Sequence, residues 1–279
     1  MKKAVVFLCF ISCISLIVDA GNKQDLTKDD SWQFLLLAQF WPGTSCVFFR
    51  EQGCNVPPGV NGWTIHGLWP SRNTSTQPEF CNRSMPFNYT EIKVLQNELD
   101  SYWPYYNKSG ARTDLWQHEW EKHGTCAYVL PSIRGELKYF NATLQLYHNL
   151  NVYDTLSQAG IVPTQDKLYN LSVVFDAVLH AYKKIPQIEC YYAEGKHYLD
   201  QVWLCYNRAL QLQDCPEPSL TINRHFRRQS RYFQKLDSSL HFESEVQGPI
   251  QEDPVQTEKP PKYFVDCPKD GLVYYIPLP

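Results

Sequence analysis

Ten cysteines punctuate this chain of 279 residues, and where they fall restricts its folding more than any other feature. Cys9 and Cys13 belong to an opening segment in which Lys2 and Lys3 precede a mainly apolar run over 4–18 and small residues at 18–20. A basic start, a short apolar stretch and a cleavage-like exit describe a secretory signal, and 15 residues are few for a bilayer span. Residues 1–20 are therefore expected to be removed on export. The destination is the cell exterior or, alternatively, the lysosomal or endosomal lumen. Cys46, Cys54, Cys81, Cys126, Cys190, Cys205, Cys215 and Cys267 remain. In an oxidising compartment this even number reads as four disulfides whose connectivity the spacing leaves open. No Cys-x-x-Cys pair follows the leader, so metal ligation by thiolates is disfavoured.

Six Asn-x-Ser/Thr sequons, at Asn73, Asn82, Asn88, Asn107, Asn141 and Asn170, agree with export and are expected in solvent-facing loops or at helix ends. With 43% hydrophobic residues the chain can bury a sizeable core, and disorder of the whole is excluded. Lys and Arg number 26 against 29 Asp and Glu, so no broad basic surface is available to grip nucleic acid. Any polyanion must be met locally.

Hydrophobic patterning places a buried strand at 32–40 and a strand opening at 63 that exits through Gly67-Leu68-Trp69-Pro70. Helices are expected at 91–102, 114–124, 142–158 and 168–184, the second capped by Asp114 and stopped by Gly124. Period-two patterns at 187–194 and 198–207, joined by Glu194-Gly195-Lys196, suggest a hairpin. This mixed order argues for an α+β domain over 21–279, with a mainly antiparallel sheet packed against several helices. Residues 216–266 differ in kind: a basic stretch at 224–235 precedes an acidic, Pro-rich segment, as in a surface insertion.

The chemistry concentrates in HEWEKHGTC at 118–126. At about 100° per residue, His118, Glu119, Lys122 and His123 share an arc of about 140°. Such a face, expected to be exposed, offers two imidazoles for proton transfer and an ammonium and a carboxylate to balance charge. The zinc motif His-Glu-x-x-His needs histidines four apart. Here they are five apart and Lys122 stands in the ligand position, so no metal or other cofactor is expected. His66, in WTIHGLWP at 63–70, supplies a further imidazole.

WTIHGLWP and HEWEKHGTC resemble the two active-site segments of the ribonuclease T-two family, secretory acid endoribonucleases related to the plant S-RNases. The similarity extends through FNYTEIKVLQNELDSYWP, YKKIPQIEC, WLCYNRALQLQDC and the late Cys267-Pro268, and so covers most of the mature chain. It implies an α+β endonuclease that cuts single-stranded RNA, not DNA, without metal, through a 2′,3′-cyclic phosphate to a 3′-phosphate. By position, His123 resembles the general base acting on the ribose 2′-OH and His66 the general acid for the departing 5′-oxygen. His118 resembles the phosphate-binding histidine, Glu119 and Lys122 the pair stabilising pentacoordinate phosphorus, and Trp69 part of the base and phosphate pocket. Both proton-transfer histidines, at an ordinary pKa near 6.5, suit mildly acidic conditions. The resemblance also implies the pairs Cys46–Cys54, Cys81–Cys126, Cys190–Cys267 and Cys205–Cys215.

A monomer without a membrane span is expected, its partner single-stranded RNA. The five Lys and Arg of 224–235 offer a further contact for RNA phosphates, a polyanion or a glycan. A rival reading is a secreted glycoprotein with the same fold that acts by receptor or glycan binding. Such a protein has no need of His66, His118, Glu119, Lys122 and His123 together.

Overall fold

The computed structural model describes residues 31–74, 76–217 and 263–279. The expected leader at 1–20 and the basic stretch at 224–235 lie outside the described residues, as does most of the 216–266 insertion.

The α+β architecture is built on one sheet. Its main path runs β2 (Thr64–Ser71), β1 (Phe34–Phe40), β5 (Lys196–Tyr206), β4 (Gln187–Ala193) and β7 (Phe264–Val265). Short strands β3 (Leu168–Asn170), β6 (Leu212–Gln213) and β8 (Leu272–Tyr274) extend it. Neighbours pair antiparallel except β4 with β7 and β5 with β8. Strand β1 has partners on both sides, and its faces are both covered. Leu35 and Leu37 join the large core under the helices, while Phe34, Leu36 and Ala38 pack with Trp69 and Trp203 in a smaller one. A strand buried on two faces favours apolar residues at successive positions, which is why 34–38 reads as a continuous run, with Gln39 the one polar residue of the strand. The β4–β5 hairpin turns through Glu194 and Gly195, both at positive φ as a two-residue primed turn requires.

Eight α-helices lie among the described residues: α1 (Pro42–Phe48), α2 (Tyr89–Ile92), α3 (Gln96–Tyr102), α4 (Asp114–Glu119), α5 (Thr125–Ala127), α6 (Glu136–His148), α7 (Val152–Gln158) and α8 (Leu171–Tyr182). Three expectations for these segments need correction. The helix expected over 142–158 is two, because Asn151 starts α7 afresh by accepting the amide of Asp154 on its side chain. Residues 168–170 are strand, with Asn170 capping α8. Gly124 does not stop its helix and Asp114 is not its cap. Thr113 holds the cap position, and the chain continues from α4 through a π-helical turn, Trp120–Gly124, into α5. Gly124 is needed there for another reason, since any Cβ would press into the Trp120 ring.

Disulfides join Cys46 to Cys54, Cys81 to Cys126, Cys190 to Cys267 and Cys205 to Cys215, with Cα separations of 4.8 to 5.1 Å. Cys81–Cys126 ties the loop before α2 to the end of the helix bearing the histidines. The sequon residues are all exposed or half-buried, and Asn88 and Asn170 are helix caps. Asn141 departs from expectation, lying in the interior of α6 rather than at an end. Among the described residues no helix is long and apolar enough to cross a membrane.

Candidate active site

His66 comes from β2 at an irregularity. In the β1–β2 register Ala38 faces Gly67 and Gln39 faces Ile65, so His66 is the extra residue of a β-bulge. A bulge re-aims a side chain. Here it also resets the alternation, so that Ile65 and Leu68 both reach the large core while Trp69 turns to the smaller one. The carbonyl left by the bulge accepts a hydrogen bond from Trp103 Nε1 at 2.8 Å. Strict alternation of side chains therefore ends at His66. The strand itself runs on to Ser71 instead of exiting at Gly67.

The second contribution comes from α4 and the π-helical turn after it, whose wider winding breaks the regular 100° spacing. The expected exposed face is in fact covered. Glu119 is 1%, His123 3% and Lys122 5% exposed, with His118 half-buried. Trp69 Nε1 donates to Glu119 Oε2 at 2.8 Å, and Glu119 Oε1 lies 4.0 Å from His66 Nε2. The Trp69 ring centroid is 5.0 Å from that of His66 and 5.3 Å from that of His123. The rings of His118 and His123 are 6.2 Å apart. His66, Glu119 and His123 thus gather around one indole, with His118 beside His123 and the Lys122 charge bearing on His66, His118 and Glu119. Trp69 itself, expected to line the base and phosphate pocket, is 2% exposed. Its indole nitrogen holds Glu119, and its ring lies beside both imidazoles.

Sequence reasoning missed three contributors. Gly67 was read as part of the strand's exit, yet a Cβ there would fall inside contact distance of Glu119 Oε2 and Trp69 Nε1. Only a residue without a side chain lets the carboxylate lie against the strand. Glu79 binds Lys122 Nζ at 3.0 Å, and Phe80 N donates to the Lys122 carbonyl at 2.9 Å. Gln201 Oε1 lies 2.9 Å from His66 Nδ1. The signal for Gln201 was a polar pair, Asp200-Gln201, within the otherwise apolar 198–206 of β5.

Burial governs the electrostatics. It pushes the His66 pKa down to about 4, partly opposed by the Gln201 hydrogen bond and reinforced by the Lys122 charge. His118 is driven down to about 3 by burial first, then by Lys122 and His66. Glu119 is raised to about 8 by burial, against the Trp69 hydrogen bond and Lys122. The expectation of a near-ordinary His66 is therefore corrected: the desolvated site disfavours each charged form until a counter-charge arrives. One ligand atom each from His118, Glu119 and His123 lies within 4.8 Å of the others. The Lys122 charge that depresses both His66 and His118 bears on the same space and opposes a cation there.

The chain resembles known proteins in sequence and fold. Residues 32–215, well over half of the chain, match the model of the Ribonuclease T2 family. Ribonuclease T2 of Sus scrofa is 41% identical over 196 residues, 68% of this chain and 92% of that protein. Ribonuclease T2 of Homo sapiens is 37% identical over 211 residues, 74% of this chain and 79% of that protein. The crystal structure of human RNase T2 superposes with a TM-score of 0.56, covering 66% of this chain and 90% of that one at 37% identity. RNase NT in complex with 5′-AMP gives a TM-score of 0.59 at 30% identity, over 66% of this chain and 91% of that one. The chain belongs to the Ribonuclease T2 family.

Proposed function

We propose that this endoribonuclease cleaves single-stranded RNA by metal-independent transesterification, through a 2′,3′-cyclic phosphate to a 3′-phosphate end. The observation that carries the reading is the convergence of His66, His123 and the Glu119 carboxylate on the buried ring of Trp69. In-line displacement at phosphorus needs one group to take the nucleophile's proton and another, on the opposite side, to supply the leaving group's. Two imidazoles held 5.0 and 5.3 Å from the same indole are spaced for that division of labour.

In the first step His123 removes the 2′-OH proton, the 2′-oxygen bonds to phosphorus, and the 5′-oxygen departs with a proton from His66. In the second, the two exchange roles and water opens the cyclic ester. His118 and Lys122 meet the phosphate oxygens, and Glu119 with Lys122 supports the crowded five-coordinate centre. Because the nucleophile belongs to the substrate, no metal is required to generate one, and DNA, lacking the 2′-OH, is inert.

The depressed histidines support this assignment. A phosphodiester brings a negative charge into a site containing Lys122 and two imidazoles that burial holds neutral, and that charge raises their proton affinity. Substrate entry is thus what readies His66 to act as an acid.

Export to the exterior or to a lysosomal or endosomal lumen is part of the same reading, supported by the four disulfides and by sequons at accessible positions. The test of function is to incubate the protein with single-stranded RNA and with DNA in excess chelator, alongside His66→Phe and His123→Phe. The expected result is chelator-resistant cleavage of RNA alone, lost in both variants. DNA cleavage or unimpaired variants would overturn the proposal.

A further inference from the structure

The side of His66 facing away from Glu119 is as closely defined as the side facing it. Strand β5 brings Gln201, 7% exposed, to the ring, with its Oε1 2.9 Å from His66 Nδ1. Trp203 Nε1 donates to that same oxygen at 3.0 Å. Gln201 Nε2 donates to Glu189 Oε2, and Glu189 sits directly opposite Gln201 in the β4–β5 register. An indole N–H only donates, so the atom it meets must be the amide oxygen. Glu189 takes the amide nitrogen. With both ends of the amide assigned by their partners, Gln201 has an acceptor to offer His66, and Nδ1 must carry the hydrogen. Nε2 is then the nitrogen directed towards Glu119, 4.0 Å away.

The relay spans four strands. His66 stands on β2, Gln201 on β5 and Glu189 on β4, and the intervening strand β1 contributes Phe40, paired with Gln201 and packed edge-on against the His66 ring at 5.2 Å. The members behind His66 are interior, since Gln201 is 7% and Glu189 6% exposed and Trp203 is fully buried. Burial, with Asp200 and Asp266 close by, holds the Glu189 carboxyl well above the usual range. The group behind Gln201 therefore tends to be uncharged. An uncharged acceptor orients an imidazole without strengthening its hold on the proton as a carboxylate would. For a group that must donate from Nε2 to a leaving oxygen, orientation with a smaller gain in basicity than a carboxylate would give is the useful combination.

We infer that Gln201, anchored by Glu189 and Trp203, is a positioning residue that fixes the Nδ1–H tautomer and the orientation of His66 so that Nε2 faces the departing 5′-oxygen. The inference rests on the reading of His66 as general acid. Nothing in the family resemblance singles out Gln201, and it lies 135 residues from His66 in the chain.

Two variants of the full chain test it. Gln201→Met keeps volume and removes the acceptor. The double variant Glu189→Gln with Gln201→Glu exchanges the partners, keeps the hydrogen bond between them, and places a carboxylate against Nδ1. Nitrogen NMR of His66 and the pH dependence of kcat on an RNA dinucleotide are the readouts. In Gln201→Met, kcat should fall about 10- to 100-fold with KM changed far less, and the Nδ1–H tautomer preference should be lost. In the exchanged pair the tautomer should persist while the His66 titration and the alkaline limb of kcat move up by about one pH unit or more. Wild-type kcat and tautomer in folded Gln201→Met would overturn the inference. If that variant does not fold, an unmoved His66 titration in the exchanged pair overturns it instead. Should the wild-type enzyme form no cyclic phosphate, the general-acid reading fails, while the NMR tautomer and titration still decide whether Gln201 positions the ring.

Discussion

Gly67→Ala adds one methyl group at the point where strand β2 meets the Glu119 carboxylate. The new Cβ would overlap Glu119 Oε2 and the Trp69 indole nitrogen, and neither can yield freely, because Glu119 is 1% and Trp69 2% exposed. Relief requires the carboxylate to swing away and give up its 2.8 Å bond to Trp69. Overpacking of this kind costs about 1–3 kcal/mol. Losing a buried hydrogen bond to an ionisable group adds about 1.5–3 kcal/mol. Together these predict a destabilisation of about 2.5–6 kcal/mol in denaturant unfolding, with the slope unchanged. Displacing Glu119 also removes transition-state support, so kcat should drop about 10²- to 10³-fold in protein that is still folded. Gly62→Ala is the matched control. Its Cβ would meet Tyr153 Cβ at 3.5 Å, an ordinary contact, and both stability and kcat should stay near wild type. If Gly67→Ala lies within about 0.5 kcal/mol of wild type and retains its kcat, the carboxylate does not depend on that glycine and the geometric argument is wrong.

The pH behaviour follows from the shifted groups. With His66 at about 4 in the free enzyme, the acid form is lost as pH rises through that value. The bound phosphate raises it, so kcat/KM should decline on the alkaline side at a lower pH than kcat; coincident limbs would contradict the charge argument. Glu136, 9% exposed and accepting from Asn88 N, has its carboxyl raised to about 7 by burial. A raised carboxyl contributes stability below its ordinary value of 4.5 and loses it as pH climbs to 7. Glu136→Gln should therefore match wild type near pH 4 and exceed it at pH 7.5 by up to about 3 kcal/mol, measured by urea unfolding. Replacing Cys81 and Cys126 with Ser opens a loop of 45 residues, and unfolding experiments should show a loss of about 4 kcal/mol.

How legible the molecule was depends on how local the determining physics is. Strand β1 announced itself because burial on two faces favours a continuous apolar run, here 34–38. The β4–β5 hairpin was legible because Gly195 suits one of the two positive φ values its turn needs. His118, Glu119, Lys122 and His123 stood out because ionisable residues crowd one short segment. What stayed hidden depends on distant partners. The bulge at His66 is a property of the β1 register, stabilised by Trp103. The break between α6 and α7 turns on the Asn151 cap, which an apolar periodicity does not register. Gln201 and Glu79 join the site only through folding, and the low pKa of His66 follows from burial that no helical wheel contains. Even the covered character of the 118–123 face was misread, because charge in sequence suggests solvent until its partners are known.

The most direct test of the account is the identity of the ends produced from a short RNA carrying a single scissile linkage, followed by phosphorus NMR in excess chelator. A 2′,3′-cyclic phosphate should appear first and convert to a 3′-phosphate, and the same oligonucleotide with a 2′-deoxyribose at that linkage should remain intact. Products bearing a 5′-phosphate, or cleavage of the deoxy-substituted strand, would contradict the claim that the substrate's own hydroxyl is the nucleophile.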